Sequence, residues 1–203
     1  MKYLYSLLIL FVLVFVWSAI NPHDYFTWML EVLPAVIGLA VLAATFNKFR
    51  FTDLVYTLIL IHCCILFVGG HYTYAEVPLF NWIRDVLHQS RNNYDKVGHL
   101  AQGFVPALIV RELFIRMEVV NKKGWLNVII VAICMAISVT YEFIEWFVSI
   151  LSGESGDSFL GTQGYIWDTQ SDMLYATIGA ILGIFIFSKC QDKQIRKIES
   201  LVI

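Results

Sequence analysis

Charge is what this sequence has least of: 15% of its 203 residues are Asp, Glu, Lys or Arg, while 59% are hydrophobic. Soluble domains carry about 25% charged residues, so the polar shell of a water-soluble fold is not provided for. Cysteine is nearly as sparse. The four cysteines form no CxxC pair, since Cys63 and Cys64 are adjacent and Cys134 and Cys190 stand alone, which supports neither a disulfide framework nor a thiolate metal site. The net charge of −2 is too small to point to a nucleic-acid partner. Strand-like alternation is missing as well, because the apolar residues come in long runs.

Those runs are what is there. Mean hydropathy is +0.70, and crossing a bilayer takes about 20 mostly apolar residues. Six such segments can be drawn, over residues 4–20, 28–46, 52–70, 97–117, 125–151 and 168–188. With their loops they use nearly all of residues 1–203, so the expectation is an all-α fold: a single polytopic membrane domain, an integral bundle of six transmembrane helices. Bulky Trp17 stands where a signal-peptide cleavage site needs a small residue, so the first run reads as a retained helix.

Loop charges orient the bundle. Lys2, Lys48, Arg50, Arg116, Lys122, Lys123, Lys189, Lys193, Arg196 and Lys197 fall on one side, and Arg84, Arg91 and Lys96 on the other. By the positive-inside rule both termini are expected to be cytoplasmic. The longest connection, His71 to Asn93, has Pro78 positioned to open a short surface helix, with Phe80, Ile83 and Leu87 on its apolar side. The segment from Ser152 to Trp167, with Phe159 and Leu160 in its middle, reads equally as a cap over the bundle or as a plain linker.

Ionisable groups inside such segments cost roughly 2.5 to 3.5 kcal/mol each on insertion scales, so they turn inward. In YEFIEW, Glu142 and Glu145 are three apart and share a helix face with Ser138 and Ser149. In YDKVGHLAQG, Asp95, His99 and Gln102 share a face at spacings of four and three. In WDTQSDMLY, Asp168 and Asp172 are four apart. The direction of each segment puts all three sets in the outer third to half of the membrane, with the glutamates about 9 to 14 Å below the end of their helix.

Five carboxylates and a histidine at one level suit a divalent cation, with Mg²⁺, Mn²⁺ and Zn²⁺ all chemically admissible. The same carboxylates without a metal cannot all ionise, so a proton relay competes. As plain structure, the glutamates would be interhelical hydrogen-bond glue, Asp95 and Asp168 helix caps, and His99 a satisfied interior histidine. Arg111 and Glu112, near the inner end of the fourth run, need only pairing or snorkelling. Gly179 and Gly183, with Ala176 and Ala180 alongside, read as close helix packing.

The motifs YDKVGHLAQGFVPALIVRE, YEFIEW and FLGTQGYIWDTQSDM, with the glycine-containing last helix, resemble the YjdF family of bacterial inner-membrane proteins along essentially the whole chain. That resemblance implies a six-helix, multi-pass inner-membrane protein of unassigned activity. A second likeness, to VanZ-like proteins associated with teicoplanin resistance, rests on Asp95, Lys96 and His99 at one helix start and on Asp172, Gly179 and Gly183 in the last helix. There Ala176 replaces the usual Asn, and the arginine that precedes the pattern's aspartate is missing.

The reading expected from these residues is a metal-dependent enzyme or envelope factor whose acidic site opens outward onto a lipid or lipid-linked substrate. Glu142, Glu145, Asp172 and His99 would hold the cation or act on the substrate, with Asp95, Asp168 and Gln102 orienting them. The alternatives are a small proton-coupled transporter using the same carboxylates, and a non-catalytic membrane scaffold.

Overall fold

The structure, a computed structural model, describes residues 2–152, 159 and 161–200. Among these residues every regular element is an α-helix: α1 (Lys2–Ser18), α2 (Tyr25–Thr45), α3 (Asp53–Tyr72), α4 (Pro78–Val86), α5 (Tyr94–Arg116), α6 (Lys123–Ser152) and α7 (Asp168–Glu199). Helices α2, α3, α6 and α7 are long and apolar enough to cross a membrane. Helix α1 is apolar but shorter, at 17 residues. Helix α5 has 23 residues, with Asp95, Lys96, Arg111, Glu112 and Arg116 at its two ends.

Local chemistry sets several of the boundaries. The carboxylate of Asp24 accepts the Thr27 amide at 2.6 Å to cap α2, and this bond holds the carboxyl below its usual range. Thr52 caps α3 through the Val55 amide, and Pro78 opens α4 in its first turn, where its missing N–H costs nothing. On α4, Phe80 packs against Tyr94 at 5.2 Å, whereas Leu87, expected on the same side, is exposed with Leu79, Trp82 and Val86. The largest departure is α7, which continues to Glu199 rather than stopping near Ser188. Charges end the apolar run there but not the helix, because Gln191 and Ile195 are still buried against the bundle.

Contacts fix the helix directions. Tyr3 hydrogen-bonds Thr57 and Phe11 meets the Phe67 ring edge-on at 5.0 Å, so α1 and α3 run parallel. The Trp28 indole donates to Ser18 at 3.1 Å as α2 turns back. Helices α5 and α7 are parallel and nearly touching: a Cβ on Gly103 would strike the Ala176 carbonyl, and on Gly179 and Gly183 the carbonyls of Leu100 and Phe104. The close packing expected of Gly179 and Gly183 is therefore present, with Ala176 and Ala180 fully buried beside them. The starts of α2, α5 and α7 and the ends of α1, α3 and α6 gather at what we call the upper end.

Two groups of charge lie along the α5–α7 pair, one at each end. At the lower end Glu112, fully buried, accepts the Thr52 amide at 2.8 Å, the Thr52 hydroxyl at 2.7 Å and the Arg116 guanidinium at 2.9 Å. Arg111 donates to Gln191 at 2.9 Å and pairs with Asp192 at 2.7 Å, and the Gln191 amide donates to the Leu108 carbonyl at 2.7 Å. The pairing expected of Arg111 and Glu112 is thus found. The four cysteines are free.

Candidate functional site

The upper group begins with two cations. Lys96, one residue after Asp95 on α5, donates to Asp172 at 2.6 Å and Asp168 at 2.7 Å on α7, and to Asp95 at 3.3 Å. Arg91, just before α5, also donates to Asp168, and its second nitrogen reaches Asp95 at 3.4 Å and the Gly161 carbonyl at 3.3 Å. The Tyr165 ring lies 5.6 Å from the guanidinium and 5.9 Å from the ammonium. Asp168 and Asp172 start α7 four residues apart, so one helix face delivers both to the same ammonium.

The imidazole of His99, one turn further along α5, meets two of the same carboxylates. Its Nε2 is 3.2 Å from Asp95 and 3.7 Å from Asp172, while Nδ1 is 3.0 Å from the Gln102 side-chain oxygen and 3.8 Å from Glu142. Glu142 and Glu145 reach this level from α6, and both are more than nine-tenths buried. Among the described residues, one oxygen of Glu142 has no hydrogen-bond partner, and neither has the hydroxyl of Ser138 four residues earlier on the same face. From α2, Glu31 enters the same region and accepts from the Tyr141 hydroxyl at 3.4 Å. Between these groups lies a cavity of about 190 Å³, walled by Glu31, Asp95, His99, Glu145 and Tyr141 among others.

Part of the segment before α7 covers the site. Phe159 is buried near the Tyr141 ring, Gly161 lines the cavity, and Gln163 exchanges hydrogen bonds with the backbone of Asn92. Gly161 adopts φ +60°, a left-handed conformation that glycine adopts without strain. Phe159, Gly161 and Gln163 thus lie over the site as a cap does; residues 153–158 and Leu160 lie outside the described residues.

All seven residues singled out in the sequence reach this region, though in different roles. Asp95, His99 and Asp172 each offer a ligand atom within 4.8 Å of the others, a grouping able to hold a metal ion. Asp95, expected behind the ligands, thus touches the imidazole directly, and Gln102 holds the ring from its other nitrogen. Asp168 is engaged by Arg91 and Lys96 instead, and Glu145 forms cavity wall. Two participants, Arg91 and Glu31, were not foreseen, and Lys96 had entered only through the VanZ-like motif. Arg91 and Lys96 counted as outward loop charges but are buried here, and Glu31 is a lone carboxylate near the start of an apolar run. Its isolation was the available signal, since an unpaired carboxylate in such a run needs a partner.

Long apolar helices closing around a buried charged cluster define a polytopic membrane protein. Residues 3–193 match the family profile described as "Predicted membrane protein (DUF2238)", and the chain belongs to this family. It is 42% identical over 185 residues to the inner membrane protein YjdF of Escherichia coli (strain K12), an alignment covering 91% of this chain and 88% of that protein. It is accordingly a multi-pass inner-membrane protein. No solved structure matches it.

Proposed function

We propose that the upper cluster is a cation-binding site at which this protein acts on the polar head of a lipid or lipid-linked envelope substrate. In this reading the chain is one domain with six crossings and cytoplasmic termini, and the upper end faces outward. Burial of Arg91 and Lys96 among carboxylates supports that orientation, because Arg84 then remains as the main basic side chain of the upper loops.

The observation that carries the proposal is charge imbalance. Glu31, Asp95, Glu142, Glu145, Asp168 and Asp172 gather around two fixed cations, Arg91 and Lys96, and one Glu142 oxygen is buried without a partner. A buried excess of this kind is costly unless a cation or protons offset it. His99 Nε2, Asp95 and Asp172 would hold the cation, with Gln102 fixing the imidazole tautomer by accepting from Nδ1–H. Lys96 already occupies an Asp172 oxygen and would compete with the metal for it. A bound divalent ion would supply Lewis acidity toward an oxygen of the substrate head. The interior below favours this over transport: Val105, Ala107, Leu108, Ile130, Cys134 and Ala180 fill the middle of the bundle with apolar atoms.

The test is calorimetric titration of purified protein with Mn²⁺, Zn²⁺ and Mg²⁺. Wild type is expected to bind at least one of these, and His99→Ala to weaken binding by roughly 10- to 100-fold, the range seen when a ligand shell is disturbed. Absence of binding in wild type, or equal binding by His99→Ala, refutes the proposal.

A further inference from the structure

Beside the acidic cavity lies a second hollow of about 870 Å³, bounded by α1, α2, α3 and the lower half of α5, from Val105 down to Met117 just past its end, and extending to Lys48 at the lower end. Its lining is almost entirely hydrocarbon, with Leu7, Phe11, Leu39, Leu42, Ile59 and Val105 among the walls. Pro34, His62 and Leu66 belong to the walls of both hollows, so the apolar space abuts the acidic one across these three side chains. Helix packing accounts for the opening. Helix α2 is seated on α3 without comparable packing on α1 or α5. Pro34 cannot donate to the Leu30 carbonyl, which loosens α2 where the two hollows meet. Beyond it, a Cβ on Gly38 would meet nothing within 4 Å.

Protein interiors are close-packed and retain few voids larger than a water, whereas ligand sites run to about 300–1,000 Å³. We propose that the two hollows form one site for a single membrane lipid. Its hydrocarbon chain lies along α2 between α1 and α5, and its head passes Pro34, His62 and Leu66 into the acidic cavity. The head bears an amine: Glu31, Asp95 and Glu145 face that cavity, and among the described residues neither Lys nor Arg lines it. With the upper end outward, such a lipid keeps the orientation it has in the outer leaflet. The proposal rests on the reading of the upper cluster as a site acting on lipid, and names the substrate class.

The experiment reconstitutes the full chain in nanodiscs of equimolar phosphatidylethanolamine and phosphatidylglycerol, then identifies retained lipid by native mass spectrometry. Wild type is expected to retain phosphatidylethanolamine over phosphatidylglycerol by roughly tenfold, about one decade of affinity. Gly38→Leu and Gly38→Trp, which fill open space, should reduce retention in that order while their melting profiles show a folded protein. Glu31→Gln should keep the lipid but lose the preference for the amine. Retained lipid that mirrors the bulk mixture, or retention indifferent to Gly38→Trp, overturns the proposal. Cation titration of the same samples separates the two ideas. Lipid retention that depends on Gly38 without any cation binding refutes only the cation reading, and cation binding with lipid indifferent to Gly38→Trp refutes only the lipid site.

Discussion

The α5–α7 pair carries charge at both ends, and the ends are built on opposite principles. Below, Arg111 and Arg116 meet Glu112 and Asp192, two carboxylates for two cations, and among the described residues Arg111 Nε and the Tyr56 hydroxyl are the buried polar atoms there without a partner. Above, six carboxylates surround Arg91, Lys96 and His99, an oxygen of Glu142 is orphaned, and a cavity remains between the groups. A balanced, filled cluster is what helix joining requires. Excess charge around open space is tolerated where it does something else, since proteins give up stability at working sites.

This contrast can be broken by substitution. The largest loss of stability is expected for Glu112→Gln: it leaves the Arg116 cation short of a partner inside the bundle and should cost about 3–5 kcal/mol in denaturation of the detergent-solubilised protein, with cation titration at the upper end as the companion measurement. Gly103→Ala, midway between the clusters, drives a methyl into the Ala176 carbonyl and should cost about 1–3 kcal/mol. Its lipid and cation binding should weaken as well, because it changes the spacing of α5 and α7. Arg111→Met should cost about 1–3 kcal/mol, since water can replace the pairing at partly exposed Asp192 but the fully buried Gln191 oxygen loses its donor. Glu145→Gln should be the mildest, within about 0.5 kcal/mol of wild type or more stable, because it relieves crowding among like charges. It should nonetheless lower cation affinity. If Glu145→Gln instead destabilises as strongly as Glu112→Gln, the two ends are alike and the contrast fails.

Much of the upper cluster could be read from spacing. Asp95 with His99, Asp168 with Asp172 and Glu142 with Glu145 lie three or four apart, so helix geometry alone put each pair on one face, and alternating helix direction put the pairs at one level. Arg91 and Lys96 escaped that logic. In a count of loop charges a lysine beside a helix start is indistinguishable from a solvated one, and only the arrival of α7 turns it inward. Glu31 escaped because its partners, Tyr141 and the His99 region, lie on other helices at large sequence separation. The length of α7 was misjudged because hydropathy marks where a membrane ends, whereas a helix ends where its backbone hydrogen bonds do. The apolar hollow has no sequence signature, since residues that line a groove look like residues that face lipid.

The pairing of Arg91 and Lys96 with α7 also constrains how the chain is made. Their main carboxylate partner, Asp168, is 77 and 72 residues further along the sequence. Until Asp168 is synthesised, the leading turn of α5 carries two positive charges with Asp95 as the nearby counter-charge. Chains stopped before Asp168 would leave those two cations with the single carboxylate of Asp95. The last helix thus completes the charge balance at the start of α5: the two cations there gain Asp168 and Asp172 only when α7 docks beside them.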